Sequence, residues 1–243
     1  MKFKKIITIG IGDSKLDESY WKKMDTLTEK RISLPKDSPE IRKHLEDADC
    51  VLVNPFVFKF DKDLIDLAKK LRFIGVLATG YNAVDFEYAA KKNVVVCNIP
   101  GYSTEAVAEL AFASILNHMR DLDKAKAQIK SCDYSEPVFS NCHENEAFID
   151  KLKSNAVLIN LAPNELVDLK ALENRLKKGD ITYIFDHPDE LTVEQANQLS
   201  KYKACIIYPP IGFQTEEARI AKQEIFVANI ENFLKCAPTN KVN

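Results

Sequence analysis

One short stretch of the chain has residue types suited to holding an anion. Ala78, Thr79 and Gly80 follow an apolar run, FIGVL, that is typical of a buried strand. A tight glycine turn at the carboxyl end of a strand presents free backbone N–H groups to a negative charge. Asn54 ends the preceding apolar run. The alternative is that Gly80 only makes the turn and Asn54 only caps a loop, since turns select the same residue types.

Cysteine and histidine provide a second group of candidates, for metal binding. Cys132 and the pair Cys142-His143 lie in a polar connection, but their spacing matches no common zinc pattern. The other cysteines are Cys50, Cys97, Cys205 and Cys236, and the first three lie in or beside apolar strands, where cysteine acts as a small hydrophobic residue. We therefore expect free thiols and no metal site.

The distribution of glycine bears on nucleotide binding. A dinucleotide loop needs glycine for its tight turn and for close approach of the pyrophosphate. The chain has no glycine between Gly101 and Gly179. Gly10-Ile11-Gly12 follows a strand, but Lys15 occupies the third glycine position of the pattern. We interpret Gly10-Ile11-Gly12 as a turn and expect no cofactor-binding residue.

The elements that position these residues alternate between strand and helix through the first hundred residues. They include a polar helix predicted from Asp17 to Lys30 and a helix up to Lys92 for which Asp85 is the predicted N-cap. This alternation predicts an α/β fold with a parallel sheet and helices on both faces. A long helix is predicted from Glu105 to Leu122, with an apolar stripe. A helix is predicted from Glu146 to Leu152, and another from Leu169 to Lys177 with Gly179 as its C-cap. Three further strands follow or separate them (AVLINL, ITYIFD and ACIIYPP), and a final helix is predicted from Glu216 to Leu234.

The totals exclude several classes of function. The chain has 243 residues, of which 46% are hydrophobic and 29% charged, as in ordinary globular proteins. A formal net charge of −2 gives no reason to expect nucleic acid or an anionic membrane as a partner. No apolar run approaches a membrane span, and the first residues suit a buried strand better than a signal peptide. We expect a cytoplasmic protein.

Two segments resemble the D-2-hydroxyacid dehydrogenase family. Residues 71–122, with ATGYNAVD and NIPGYSTEAVAE, are similar to that family's substrate domain, and residues 145–168 are similar to the later half of its nucleotide domain. The resemblance implies two lobes. Residues 1–101 with 216–243 would form a flavodoxin-like, doubly wound parallel sheet, the substrate-type lobe. Residues 102–215 would be a remnant of the Rossmann-type NAD-binding lobe that lacks its GxGxxG half.

The resemblance also implies roles for individual residues. The backbone of Ala78, Thr79 and Gly80 would bind a substrate carboxylate, and Asn54 would line the same cleft. The family's catalytic residues do not carry over. Pro163 stands at the position of the family's arginine, and Pro210 stands at the position of its histidine. Leu191, with Glu190 beside it, stands near the position of its glutamate.

These substitutions predict a truncated homologue without dehydrogenase activity that keeps a cleft for a small 2-oxo or 2-hydroxy acid. NAD or NADP is expected only if the family's activity survives in a rebuilt site, for which His143, Arg120 and Lys153 are the candidates. A third hypothesis is a regulatory partner of a full-length relative. The resemblance implies a homodimer, formed through the long helix and its stripe of Val107, Leu110, Ala111, Ser114, Ile115, His118 and Met119. His187, directly after Asp186, is interpreted as a turn histidine.

Overall fold

The structure is a computed structural model. It describes residues 2–120, 122–123, 127, 149, 152–161, 164 and 167–243. Eight strands lie in these ranges: β1 (Ile6–Ile9), β2 (Arg31–Leu34), β3 (Cys50–Val53), β4 (Phe73–Val76), β5 (Val95–Cys97), β6 (Ala156–Asn160), β7 (Ile181–Phe185) and β8 (Cys205–Ile207). The α-helices are α1 (Glu18–Thr26), α2 (Ile41–Leu45), α3 (Lys62–Leu67), α4 (Phe86–Lys91), α5 (Thr104–Arg120), α6 (Leu169–Lys178), α7 (Val193–Leu199) and α8 (Glu216–Leu234).

The chain divides into two compact units. The first unit consists of Met1–Tyr102 and Glu216–Asn243, and the second unit is the intervening segment, Ser103–Thr215. All named strand pairs in both units are parallel, which confirms the α/β class predicted from the alternation of elements.

The first unit is built on a five-stranded sheet in the order β2-β1-β3-β4-β5. Its central strands are buried along their whole length, as the continuous apolar runs predicted. Alternate residues face opposite sides of a strand. Ile7, Val51 and Ile74 accordingly belong to one hydrophobic cluster, and Ile6 and Leu52 belong to the other.

The last helix, α8, completes the first unit. Phe226 on α8 is 1% exposed and belongs to the same cluster as Ile6 and Leu52. A Cβ atom added at Gly75 of β4 would lie 3.3 Å from Cε2 of Phe226. The absence of a side chain at Gly75 therefore lets the helix approach the sheet closely.

Most helix boundaries agree with the predicted ones. Helix α8 has the predicted bounds, and Asp85 accepts a hydrogen bond from the backbone N–H of Tyr88 at 3.0 Å, as its predicted role as an N-cap requires. Helix α1 is shorter than predicted and ends at Thr26 rather than Lys30. The reason is that Leu27 accepts a hydrogen bond from the N–H of Phe3 at 2.9 Å, which draws the chain towards β2.

The second unit contains a three-stranded sheet in the order β6-β7-β8. Helix α6 begins after Asp168, whose side chain accepts two backbone hydrogen bonds, and ends at Gly179 in the left-handed conformation, as predicted for a C-cap glycine. Helix α7 begins with a capping box between Thr192 and Gln195. Tyr183 and Phe185 of β7 are fully buried in the hydrophobic cluster of this unit.

The cysteines that the structure describes include no disulfide. Cys50 and Cys97 are buried, as their apolar strands predicted, and burial raises the pKa of the Cys97 thiol to about 12. Cys132, Cys142 and His143 lie outside the described residues, as does most of the predicted helix from 146 to 152. Among the described residues, no cluster of ligands suits a metal ion. None of the helices described is long and apolar enough to cross a bilayer.

Candidate functional site

The four residues predicted to form an acid site follow strands whose carboxyl ends share one edge of the first sheet. Asn54 directly follows β3, and the segment from Ala78 to Gly80 follows β4 after a single residue. The N–H of Leu77 donates to the carbonyl of Val53 at 3.0 Å, which joins the ends of the two strands. The fold thus brings the predicted residues to the carboxyl edge of the sheet, where open α/β sheets bind ligands.

The segment after β4 is held in place from the side of β5. The carbonyl of Ala78 accepts a hydrogen bond from the N–H of Ile99 at 2.9 Å. The hydroxyl of Thr79 donates to the carbonyl of Ile99 at 2.9 Å, and Nδ2 of Asn98 donates to the carbonyl of Thr79 at 2.8 Å. These bonds use the carbonyl groups and the hydroxyl of the segment.

The backbone N–H groups of the same segment are not used. Within the described ranges, those of Ala78, Thr79 and Gly80 have no acceptor. Gly80 is exposed, and a Cβ atom added to it would meet no atom within 4 Å. Its φ also lies outside the left-handed region. Neither the backbone conformation nor the packing at Gly80 requires glycine. The turn after β4 therefore does not depend on glycine, contrary to the expectation of a tight glycine turn.

Asn54 joins the loops that follow β1 and β3. Its side chain is buried, Nδ2 donates to the carbonyl of Gly10 at 3.2 Å, and Oδ1 accepts from the N–H of Phe56 at 3.2 Å. These are the contacts expected if Asn54 caps a loop. It therefore fixes the relative position of two loops at the carboxyl edge.

Asn98 contributes to this edge and was not singled out from the sequence. It is buried, its Nδ2 supports Thr79, and its carbonyl accepts a hydrogen bond from Nδ2 of Asn229 on α8 at 2.7 Å. The sequence pattern that could have identified Asn98 is a polar residue directly after an apolar strand. Asn54 follows β3 in the same way.

The positions of the family's catalytic residues lie in the second unit. Pro163 is outside the described residues. Pro210 follows β8, and its carbonyl accepts a hydrogen bond from Nε2 of Gln214 at 2.7 Å. Leu191 packs against the hydrophobic cluster of β7. Proline and leucine have no group that titrates, so neither can transfer a proton.

His187 and Asp186 lie between these positions, at the carboxyl end of β7. Asp186 is 1% exposed, and its Oδ2 accepts the N–H of Gly212 at 2.9 Å, which joins the loops after β7 and β8. Its Oδ1 has no hydrogen-bond donor in the part of the chain described, and lies 3.6 Å from Nε2 of His187. His187 precedes a short 3-10 helix, Pro188–Glu190, as expected for a turn histidine.

Glu190 is the carboxylate nearest to the family's glutamate position. Its Oε1 lies 3.8 Å from Nδ1 of His187, and its Oε2 accepts the backbone N–H of Asn164 at 2.7 Å. The structure therefore gathers a histidine and carboxylates at the end of β7, by a different arrangement from the one that the resemblance implied. The side chain of Arg120 lies outside the described part of the chain, and Lys153 has no hydrogen bond or ion pair with this group in the described ranges.

The described residues include no glycine-rich loop of the kind that holds a dinucleotide. Gly10 has φ +67°, and a Cβ atom added to it would lie 2.6 Å from Cγ2 of Val57, so glycine is required there by the turn itself. Its N–H already donates to the carbonyl of Leu34 at 3.0 Å. The following helix, Asp13–Lys15, has only 3 residues. The second unit has no glycine before Gly179, so its sheet carries no glycine loop after β6.

Known proteins similar to this chain agree with the fold. The sequence model described as D-isomer specific 2-hydroxyacid dehydrogenase, catalytic domain, matches residues 12–243. The hydroxypyruvate reductase of Blautia hydrogenotrophica is 25% identical over 307 aligned positions, which cover 92% of this chain and 94% of that protein. The glyoxylate reductase of Thermococcus litoralis is 26% identical over 274 positions, which cover 79% of this chain and 83% of that protein.

Among solved structures, D-lactate dehydrogenase from Aquifex aeolicus, complexed with NAD and lactic acid, superposes with a TM-score of 0.76. The two are 17% identical, and the match covers 96% of each chain. The alignment to the Blautia protein has 307 positions, more than the 243 residues present here, so that relative contains segments with no counterpart in this chain. The match over residues 12–243 shows that the chain belongs to the D-isomer specific 2-hydroxyacid dehydrogenase family, and that it is shorter than its relatives.

Proposed function

We propose that the protein is a truncated D-2-hydroxyacid dehydrogenase homologue without dehydrogenase activity, which binds a small 2-oxo or 2-hydroxy acid in the cytoplasm. Residues 1–101 with 216–243 would be the substrate-type lobe, and residues 102–215 the remnant of the NAD-binding lobe. The observation that carries the proposal is the set of unused N–H groups on Ala78, Thr79 and Gly80.

In the proposed site, the carboxylate of the ligand accepts hydrogen bonds from these N–H groups. A hydrogen bond to a charged group contributes about 1.5–3 kcal/mol. Gly80 leaves room for the ligand, because no atom lies within 4 Å of where its Cβ would be. Asn54 lines the cleft by joining the loops after β1 and β3, and Asn98 keeps the carbonyl of Thr79 turned away from the anion.

The proposed loss of dehydrogenase activity is supported by three observations. Pro210 and Leu191 cannot transfer a proton, and Pro163 has no cation for the oxo group. The chain lacks the glycine-rich loop that would hold the cofactor. His187 and Asp186 lie close together, but in the described part of the second unit no glycine-rich loop lies beside them.

Replacing Gly80 with valine tests the cleft. We expect Gly80→Val to weaken the binding of lactate and pyruvate at least tenfold, because the side chain fills the space next to the N–H groups, and a tenfold loss corresponds to about 1.4 kcal/mol. Isothermal titration calorimetry with each acid measures the dissociation constant. Gly12→Val is the matched control, since a Cβ at Gly12 also meets no atom within 4 Å.

Both variants are expected to keep the thermal stability of the parent protein, because neither glycine has a left-handed φ. Equal affinities of Gly80→Val and the parent for both acids would contradict the proposed site. Absence of heat with either acid in the parent protein would contradict the acid-binding function as a whole.

We also propose a homodimer, formed through α5. Phe112 is 67% exposed, Leu116 is 56% exposed and Ile115 is 36% exposed, and their spacing places them on one face of the helix. This face shares Ile115 with the predicted stripe but not Ser114, which is buried at 3% exposure. An apolar helix face of this kind is typical of a protein contact, and two-fold symmetry would bring two copies of it together.

An aspartate on this face should dissociate the proposed dimer. We expect Leu116→Asp to raise the dimer dissociation constant by at least a hundredfold, because each two-fold contact would bury two unpaired carboxylates. Analytical ultracentrifugation over a concentration series measures it. Ala90→Asp adds the same charge to an exposed alanine on α4, away from this face, and serves as the control. A monomeric parent protein, or equal effects of the two variants, would contradict this interface.

The two alternative functions have distinct signatures in these experiments. A regulatory partner would leave the α5 face available to a longer relative, so mixed dimers would form in preference to homodimers. The contact between Asp186 and His187 is the observation that favours a rebuilt oxidoreductase. That function requires the protein to bind NADH, which calorimetric titration would detect as heat.

A further inference from the structure

The loop that follows β3 presents two neighbouring apolar side chains to solvent. Phe56 is 71% exposed and Val57 is 43% exposed. In the described part of the first unit, the other large apolar side chain that is exposed is Ile220, at 39%. Adjoining apolar side chains in water mark a binding surface more often than single ones do. The pair therefore singles out this loop within the first unit.

The exposure of Phe56 does not come from a loosely held loop. Its N–H donates to Oδ1 of Asn54 at 3.2 Å, and the N–H groups of Val57 and Phe58 donate to the carbonyl of Asn54 at 3.3 and 3.1 Å. Cγ2 of Val57 packs on Gly10, 2.6 Å from where a Cβ atom of that glycine would be. Phe58 packs against a hydrophobic cluster of the sheet. The neighbours of Phe56 are thus anchored, and its own ring is left in solvent.

This loop is joined at both ends to the loop that carries the unused N–H groups. At the strand ends, the N–H of Leu77 donates to the carbonyl of Val53 at 3.0 Å. Beyond the two loops, the N–H of Phe60 donates to the carbonyl of Ala83 at 2.8 Å. The residues between these two junctions therefore lie side by side, at the spacing of paired strands, which is about 4.8 Å.

Phe56 and Gly80 occupy equivalent places in the two loops. Each comes three residues after the junction at the strand ends, and three residues span at most about 10 Å. Both residues are exposed, and no atom lies within 4 Å of where a Cβ atom of Gly80 would be. The cleft between the loops is therefore lined by N–H donors on the side of β4 and by apolar side chains on the side of β3.

We propose that the acid bound in this cleft carries a bulky apolar substituent, branched aliphatic or aromatic, and that Phe56 determines this preference. The inference rests on the proposed acid-binding function. The carboxylate accepts hydrogen bonds from the segment Ala78–Gly80, and the substituent extends towards the loop after β3, where it covers the ring of Phe56. Removing this ring from water is favourable, and the single methyl group of pyruvate has little surface with which to do so. Apolar walls with a few placed polar groups are typical of small-molecule sites.

Calorimetric titration with pyruvate and 4-methyl-2-oxopentanoate tests the preference, since the two acids share the carboxylate and the oxo group and differ in the substituent. We expect the parent protein to bind the larger acid at least tenfold more tightly, as extra methylene groups do in an apolar site. Phe56→Ser should remove this gain and have little effect on pyruvate. Ile220→Ser, which deletes an exposed apolar side chain of the same unit, is the matched control and should leave both affinities unchanged.

Phe56→Trp provides a readout that does not depend on a loss of affinity. Saturating 4-methyl-2-oxopentanoate should shift the emission of the new indole to shorter wavelength, because the substituent displaces water from the ring. Saturating pyruvate should shift it less. Trp21, the one tryptophan of the parent chain, is buried, and titration of the parent protein gives its contribution to the signal.

The outcomes separate this inference from the function on which it rests. Equal affinities of the parent protein for the two acids, or an equal fall for both in Phe56→Ser, would overturn the inference and leave the acid site in place. Equal emission shifts with both acids in Phe56→Trp would also overturn it. If the parent protein binds neither acid, the proposed function fails and the inference fails with it. Phe56→Ser should unfold at the temperature of the parent protein, because the ring is exposed.

Discussion

Purified protein is expected to oxidise NADH no faster than buffer when glyoxylate, pyruvate or hydroxypyruvate is present. A positioned acid or base contributes about 10²–10⁴ in rate. Pro210 supplies no such group, and the segment before Gly179 has no glycine to hold the pyrophosphate. The missing proton donor affects the chemical step, and the missing glycine loop affects cofactor binding. Restoring one of the two is therefore not expected to restore the reaction. Absorbance at the NADH band, followed with micromolar protein, measures the rate.

The variant Pro210→His provides the control for this prediction. It returns an imidazole to the position after β8 but provides no nucleotide loop, so it should remain inactive. Turnover by the parent protein would contradict the proposed function. If that turnover disappeared in His187→Gln, the activity would belong to a rebuilt site in which Asp186, 3.6 Å from His187, orients the imidazole.

Phe226→Ala is expected to lower the free energy of unfolding of the first unit by about 3–5 kcal/mol, the usual cost of deleting a buried aromatic ring. Phe226 is 1% exposed and packs in the cluster that includes Leu52 of the central strand β3. Urea denaturation followed by tryptophan fluorescence measures the change. The chain has one tryptophan, Trp21, which is buried in the same cluster, so the signal reports on this unit.

Ile220→Ala is the matched control because Ile220 lies on the same helix and is 39% exposed. Its cost should stay within about 1 kcal/mol, since the removed atoms are already partly in water. If both variants unfolded at the same urea concentration as the parent, α8 would not be an integral part of the first unit. If only Phe226→Ala were destabilised, the packing of α8 on β4 would account for the difference.

The elements of the fold were largely predictable because burial leaves a pattern in the sequence. The apolar runs of β1, β3 and β4 predicted buried parallel strands, and the apolar spacing on α8 predicted its bounds. The early end of α1 was not predictable, because it depends on a hydrogen bond between Phe3 and Leu27, which are distant in sequence.

The candidate site was predictable only in part. The position of Gly80 at a strand end could be predicted, whereas its ordinary φ and open surroundings could not. The exposed face with Phe112 and Leu116 was not predicted. Apolar periodicity identifies the apolar residues of a helix, but it does not show which of them pack against the rest of the protein.

The first unit is discontinuous in sequence, since the second unit lies between Tyr102 and Glu216. During synthesis the ribosome therefore releases β1 to β5 well before the helix that closes their apolar face. Domains generally fold as units as the chain emerges, and exposed apolar surface makes intermediates prone to aggregate. The second unit can fold while the sheet around Leu52 still lacks Phe226. The nascent chain thus passes through a stage in which the apolar face around Leu52 is made but not yet covered by α8, and the length of the inserted segment sets how long that stage lasts.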